Sequence, residues 1–146
     1  MKMCLKIVAV ILAAILLFSV VKSTAPTMRN MGIDSIKASV KTAEDCYYTD
    51  EDIESAVECV KEHYKMKEWP VFLLRIKYSD ETSRKVLNGY YLTETTAKEN
   101  IIVLHCDYLV LKDFGPYSQG IYPDYAAILV RENADSPWER VDGGYA

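Results

Sequence analysis

Residues 100–112 read NIIVLHCDYLVLK, the longest stretch of the chain with the period-two alternation of a β-strand. The even-numbered residues from Ile102 to Val110 would lie on one face, and the odd-numbered residues from Ile101 to Leu111 on the other. Both sets are largely apolar. A strand that is apolar on both faces is typical of the middle of a sheet, so we predict that this strand is central.

A helix is predicted to begin after Thr49, whose hydroxyl can cap the first turn. Residues 50–52 are all acidic, as the free amides of a helix start favour, and Asp52 follows the cap at capping-box spacing. The helix carries one apolar stripe, made of Ile53, Ala56, Val57, Val60 and Tyr64. This stripe predicts the side that packs on the sheet, and Pro70 closes the segment.

The segment after Pro70 changes from helical to strand periodicity. Residues 71–78 alternate with a period of two, which predicts a strand with one buried face. That face is expected to hold Phe72, Leu74, Ile76 and Tyr78. A short helix is then predicted from Ser79 or Asp80 to the stop signal at Gly89.

The C-terminal part of the chain predicts a loop and a hairpin. Residues 113–123 contain two Gly and two Pro, which is typical of a loop. Residues 124–132 and 138–142 are predicted strands around a turn at residues 133–136. The fold class is therefore α+β, with helices on one face of a curved, mostly antiparallel four-stranded sheet. We place this domain at residues 45–146 and treat residues 24–44 as a linker.

The N-terminus has the pattern of a segment handed to the secretion machinery. A short basic head precedes an unbroken apolar run at residues 7–21, and small residues follow Lys22. Fifteen helical residues rise about 22 Å, less than a hydrocarbon core of about 30 Å. Because the run is short for a membrane span, we favour a cleavable signal peptide at residues 1–23, cut before Thr24. The alternative is a retained membrane anchor. In either case we expect an extracytoplasmic protein that is secreted or tethered, with membrane contact only through residues 7–21 if they are uncleaved.

Length and charge exclude several classes of protein. A chain of 146 residues is too short for a multidomain enzyme, and 50% hydrophobic residues exclude a wholly disordered chain. The net charge is −4. Without Lys2, Lys6 and Lys22, 14 basic residues remain against 21 acidic ones, which is −7 for the predicted exported part. Nucleic acid is therefore not an expected partner.

Three cysteines remain after the predicted export segment: Cys46, Cys59 and Cys106. Because the number is odd, they cannot all pair within the chain. A disulfide between Cys59 and Cys106 is sterically reasonable if the helix packs on the central strand. The alternative, which we favour, is that these are free buried thiols that pack as small hydrophobic residues.

Three segments together resemble a family of small exported domains: residues 48–57 (YTDEDIESAV), 128–132 (ILVRE) and 138–145 (WERVDGGY). The family consists of uncharacterised Gram-positive bacterial proteins, often lipid-anchored, and the resemblance spans residues 45–146. The terminal hairpin is also similar to the last strands of the NTF2-like, cystatin-related fold. This chain has no lipobox cysteine, since Cys4 precedes the apolar run. The resemblance implies no catalytic residue, and we predict no cofactor.

Two polar constellations are candidates for chemistry. His105 and Asp107 would share a strand face and could act as a base oriented by a carboxylate, although an exposed polar pair is the simpler interpretation. Cys59 and His63 have helical i, i+4 spacing, and Cys106 would add a third metal ligand. Packing of the two cysteines together with a solvent-facing His63 is the simpler interpretation, so no metal site is predicted.

Aromatic residues on the proline-rich loop are candidates for ligand binding. Tyr117 and Tyr122 lie among Gly and Pro residues, where tyrosine suits recognition of a peptide, a glycan or a partner protein. The alternative is a lid packed over the end of the sheet. Trp138 and Arg140 share a strand face, so either a bulge follows or Trp138 faces a pocket beside Arg140.

Taken together, the sequence favours a noncatalytic exported domain that binds a small ligand, a peptide or a partner protein at the outer face of the cell envelope. The first alternative is a hydrolase that uses His105 and Asp107 in a concave sheet face. The second is a membrane-tethered accessory subunit. Convergence of His105, Asp107 and Arg140 in one pocket would distinguish the enzyme from the binding domain.

Overall fold

A computed structural model of the chain describes residues 30–66, 70–88 and 96–145. The chain divides into two compact units, Met1–Gly32 and Ile33–Ala146. The predicted signal or anchor at residues 1–23 and the predicted helix stop at Gly89 lie outside the described residues. Within the described ranges, no helix combines the length and the apolar character needed to cross a bilayer.

The second unit is an α+β domain built on a five-stranded open sheet. Its elements are β1 (Ser39–Lys41), α1 (Asp50–Met66), β2 (Val71–Ser79), α2 (Asp80–Leu87), β3 (Ile101–Val110), β4 (Gly120–Val130) and β5 (Glu139–Gly144). Residues 30–34 are also helical, and a 3₁₀ turn at Lys98–Asn100 leads into β3. The strands lie in sequence order; β1 pairs parallel with β2 and all other pairs are antiparallel. The mostly antiparallel α+β class is confirmed.

The central position of β3 is confirmed, and its two faces support two separate apolar clusters. The even-numbered residues from Ile102 to Val110 belong to the main core, which includes the apolar stripe of α1. Ile101 and Val103 instead pack with Leu87 of α2 and with Ala126 and Ile128 of β4. The two helices therefore cover opposite faces of the sheet. The prediction that they share one face is wrong, because a strand with two apolar faces needs cover on both.

The predicted start of α1 is confirmed in detail. The Asp52 N–H donates to Thr49 Oγ1 at 3.1 Å, and the Thr49 N–H donates to Asp52 Oδ2 at 3.0 Å, which is a reciprocal capping box. Every residue of the predicted stripe, from Ile53 to Tyr64, is buried. The capping box therefore fixes where this helix begins, and the apolar stripe fixes which side of it faces the sheet.

The predicted buried face of β2 is wrong in its first half. Phe72 and Leu74 are exposed, whereas Leu73 is buried. The register slips between Leu73 and Arg75, so Leu74 is the extra residue of a β-bulge. After the bulge, Ile76 and Tyr78 are buried as predicted.

The sheet has one strand more than the four predicted. Residues 39–41 lie within the stretch that we treated as a linker, yet they pair with residues 77–79 of β2. All three are exposed, so no apolar alternation marks them as a strand. At the other end of the sheet, β4 begins at Gly120 and includes Tyr122, which the composition had placed in a loop.

The C-terminal hairpin of β4 and β5 is confirmed, and it is anchored to the start of α1. Trp138 is buried, and its indole N–H donates to the Asp52 carbonyl at 3.1 Å. The Arg131 guanidinium lies 4.4 Å from the centre of the Trp138 ring and forms an ion pair with the Asp52 carboxylate. A β-bulge follows at Val141, and the Val141 side chain is exposed. Trp138 belongs to the main core.

Candidate ligand-binding pocket

A cavity of 190 Å³ opens where α1 ends, on the sheet face that α1 covers. Its walls come from four tyrosines, one phenylalanine, one valine and one arginine: Tyr64, Tyr108, Tyr117, Tyr125, Phe114, Val71 and Arg140. Tyr64 lies near the C-terminus of α1, while Tyr108, Tyr125 and Arg140 are on three successive strands. Elements far apart in sequence therefore converge on one small aromatic pocket.

A tight turn supplies the outer wall of the pocket. Phe114 and Tyr117 exchange two backbone hydrogen bonds, at 2.8 and 3.0 Å, and Gly115 between them has a φ of 54°. This left-handed backbone favours glycine at that position. The hydroxyls of Tyr117 and Tyr125 are 3.2 Å apart, which joins the turn to β4.

Tyr122 supports the pocket from outside. Its ring stacks on Tyr108 with centroids 5.3 Å apart and planes 4° from parallel. Its hydroxyl donates to the Ser118 carbonyl at 2.9 Å. The predicted recognition residues Tyr117 and Tyr122 are thus both half-buried: Tyr117 lines the pocket, and Tyr122 packs behind its wall.

Burial keeps the phenol groups of Tyr64, Tyr108 and Tyr125 in the neutral form at physiological pH. Burial, together with the Tyr117 hydroxyl, raises the pKa of Tyr125 to about 12. Burial also raises the pKa values of Tyr64 and Tyr108 well above the ordinary range of a tyrosine. These side chains therefore offer O–H donors and aromatic area, and none of the three supplies a phenolate near the cavity.

Arg140 brings a positive charge to this aromatic pocket. Its Nη1 lies 3.1 Å from His63 Nε2, so the imidazole must accept this hydrogen bond through a neutral nitrogen. Its Nε is buried and has no hydrogen-bond partner among the described residues. The guanidinium is therefore held in place but incompletely satisfied.

Gly143 makes room for the arginine. A Cβ atom at this position would lie 2.7 Å from the Ala126 carbonyl oxygen, 2.8 Å from Tyr125 Cε1, and in contact with Arg140 Nη2. Each contact is closer than real side chains allow. Gly143 is not among the site residues predicted from the sequence, although a Gly-Gly pair inside a strand is typical of close backbone approach.

His105 and Asp107 do not converge with Arg140. They lie on the odd-numbered face of β3, away from the pocket. Asp107 accepts hydrogen bonds from Arg75 Nε at 2.7 Å and from the Asp124 N–H at 2.9 Å, and it also pairs with Lys77. Although burial opposes ionisation, these donors outweigh it and lower the Asp107 pKa. The Asp107 carboxylate thus links β2, β3 and β4.

The three cysteines of the folded unit are free. The Cys59 thiol donates to the Trp138 carbonyl at 3.2 Å, while Cys106 is completely buried and burial raises its pKa to about 12. Within the described residues, no group of three or more His, Cys, Asp or Glu side chains is arranged to hold a metal ion. Cys106 belongs to the main core, and Cys59 packs against it.

The residues that line the pocket offer aromatic surface, hydroxyl donors and one cation. The predicted base and carboxylate lie on the opposite face of the sheet. Comparison with protein-family models, with curated proteins and with solved structures finds no match to this chain.

Proposed function

We propose that this protein is a noncatalytic, exported domain that binds a small ligand or one group of a peptide in the tyrosine pocket. Export to the outer face of the cell envelope is part of the proposal and is supported by the basic head and apolar run of residues 2–22. The observation that carries the binding function is the 190 Å³ cavity itself. It combines apolar walls with a few convergent polar groups, as ligand sites generally do.

The pocket walls support each other through contacts between their aromatic rings. The Tyr108 ring contacts Tyr117, Tyr122 and Tyr125 with centroid separations of 5.3 to 6.4 Å. Aromatic contacts at such distances hold the rings in defined orientations. A preformed pocket loses little entropy on binding, which favours affinity for a small group.

A hydrolase that uses His105 and Asp107 has less support. A base–carboxylate pair needs the carboxylate to orient the imidazole, but the oxygens of Asp107 are engaged by Arg75, Lys77 and the Asp124 amide. His105 is buried, and its Nε2 has no hydrogen-bond partner among the described residues. The binding domain therefore agrees better with the geometry than the enzyme does.

The binding function can be tested by ligand-observed NMR with a library of free amino acids, dipeptides and monosaccharides. Wild type is compared with Tyr117→Ala, which removes one wall of the pocket. Tyr47→Ala is the matched control, because Tyr47 is 53% exposed and does not line the pocket. We expect some compounds to bind wild type and the control but not Tyr117→Ala, with thermal melts to verify folding. Equal binding by all three proteins, or no binding at all, would contradict the proposal.

A further inference from the structure

Of the four arginines in the described residues, three form an ion pair with a carboxylate and Arg140 does not. Arg75 is paired with Asp107, Arg84 with Asp45 and Asp80, and Arg131 with Asp52. Arg140 forms no ion pair with any carboxylate of the described residues, although it lies beside a cavity. We infer that the missing partner is supplied by the ligand, and that the tyrosine pocket recognises a carboxylate group attached to a small uncharged body.

This inference rests on the proposed binding function and specifies its ligand. Arginine is suited to the role because its planar guanidinium matches the two oxygens of a carboxylate. The surroundings strengthen such a contact, since Arg140 is half-buried between aromatic rings and water screens the charge less than at an open surface. The neutral hydroxyls of Tyr64 and Tyr125 add O–H donors and no competing negative charge.

The number of charges favours a carboxylate over a phosphate. Arg140 is the single cationic side chain among the described residues that line the cavity. One guanidinium balances the single charge of a carboxylate, whereas a phosphate monoester carries a charge of about −1.5 to −2 at neutral pH. Phosphate sites generally add further cations or a row of backbone amides, and the described walls of this pocket consist of aromatic and aliphatic side chains around Arg140.

The size of the cavity limits the rest of the ligand. A volume of 190 Å³ equals about six water molecules at roughly 30 Å³ each. That space accepts a body about the size of one amino-acid side chain. The ring of Phe114 and the side chain of Val71 offer apolar contacts for it. An aryl or branched alkyl carboxylate, or the C-terminal residue of a peptide, has this combination of charge and size.

The test compares three probes that share a phenyl ring: phenylacetate, its neutral counterpart 2-phenylethanol, and phenyl phosphate. Each is titrated to about 10 mM by NMR, a range that detects millimolar dissociation constants. The proteins are the full chain, Arg140→Gln, and Arg75→Gln as a control with the same charge change on the opposite face. Thermal melts verify that every variant is folded.

We expect phenylacetate to bind wild type and Arg75→Gln at least about tenfold more tightly than 2-phenylethanol, and Arg140→Gln to lose that preference. Equal binding of acid and alcohol would overturn the carboxylate inference while supporting the pocket as an apolar site. Tighter binding of phenyl phosphate would also overturn it. If no probe shifts a resonance of a pocket residue, both this inference and the proposed pocket function are contradicted.

Discussion

Replacing Asp52 with Asn should destabilise the domain by about 3 kcal/mol, because it removes the charge that balances a buried arginine. The Arg131 side chain is only 5% exposed. Besides Asp52, its guanidinium donates to the carbonyls of Glu99 at 3.1 Å and Ala134 at 3.3 Å. Breaking a buried pair costs about 3–5 kcal/mol, and we take the lower end because the Asp52 side chain keeps 20% exposure and asparagine keeps an acceptor oxygen.

The measurement is urea denaturation at pH 7, with Asp50→Asn as the matched control. Asp50 lies in the same first turn of α1 but is exposed, so its loss removes about 0.3–1 kcal/mol of favourable interaction with the helix dipole. Both variants lower the charge of the same turn by one unit. A difference of about 2 kcal/mol between them isolates the buried pair from the general effect of charge.

The pH dependence provides an independent check. Burial opposes ionisation of Asp52, but hydrogen bonds from Arg131 and Thr49 outweigh it and hold its pKa below the usual value. A carboxyl group whose pKa is lower in the folded state stabilises the protein above its unfolded pKa of about 3.9, and this stabilisation is lost as the pH falls through the folded-state pKa. The gap between wild type and Asp52→Asn should therefore stay constant from about pH 5 to 7 and shrink below about pH 4. An unchanged gap at pH 3, or equal destabilisation by Asp50→Asn, would refute the reasoning.

Three further predictions concern the pocket, the core and the cellular location of the protein. Gly143→Ala should both lower the melting temperature and weaken phenylacetate binding, because the new Cβ would collide with Tyr125 and the neighbouring backbone. Wild-type melting and wild-type binding would contradict the close packing of Gly143 against Tyr125. Val60→Asp should lower the free energy of unfolding, measured by urea denaturation, by several kcal/mol, because it buries a carboxylate. The exposed Glu58→Ala should lower it by less than about 0.5 kcal/mol. Equal denaturation midpoints would contradict the assignment of the apolar stripe to the buried side of α1. Cell fractionation with N-terminal sequencing should find a mature chain starting at Thr24 or a full-length chain in membranes, whereas full-length protein in the cytosol would exclude export.

The parts of the fold that were predicted correctly are those in which local sequence and tertiary packing agree. Thr49 caps α1 because its hydroxyl and the Asp52 carboxylate are three residues apart, a geometry that needs no other element. The even-numbered face of β3 is apolar along its whole length, so it is buried wherever the strand is placed in a sheet. In both cases a short segment contains all the information required.

The errors arise where the partner strand decides the structure. The bulge at Leu74 moves Phe72 from the predicted buried face to solvent, and the bulge exists only because β2 pairs with β3 in a shifted register. Residues 39–41 form a strand for a similar reason, since β2 offers them a free edge while their own side chains remain exposed. Local alternation contains no information about either pairing.

Two residues that line the candidate site, Tyr117 and Arg140, were predicted from the sequence, whereas the other lining residues and the assembly were not. Tyr117 and Arg140 each stood out in the sequence, yet their convergence depends on the turn at Phe114 and on the pairing of β4 with β5. The parity of β3 already separates His105 from Cys106 in the sequence. It could not show on which face Arg140 lies, because β5 contains a bulge at Val141.

The position of the pocket follows from the length of α1. Along the even-numbered face of β3, the helix covers the sheet as far as Tyr64, whose ring lies 6.4 Å from that of Tyr108, and it ends at Met66. Beyond that point the turn at Phe114 and Tyr117 closes the face instead of the helix. Rings that are fixed to a turn and to separate strands cannot interdigitate as closely as a continuous stripe does, so a gap of 190 Å³ remains between them. The pocket is therefore expected to respond to changes in the turn more than to changes in the core, which is why Tyr117 rather than a residue of α1 is the appropriate probe of binding.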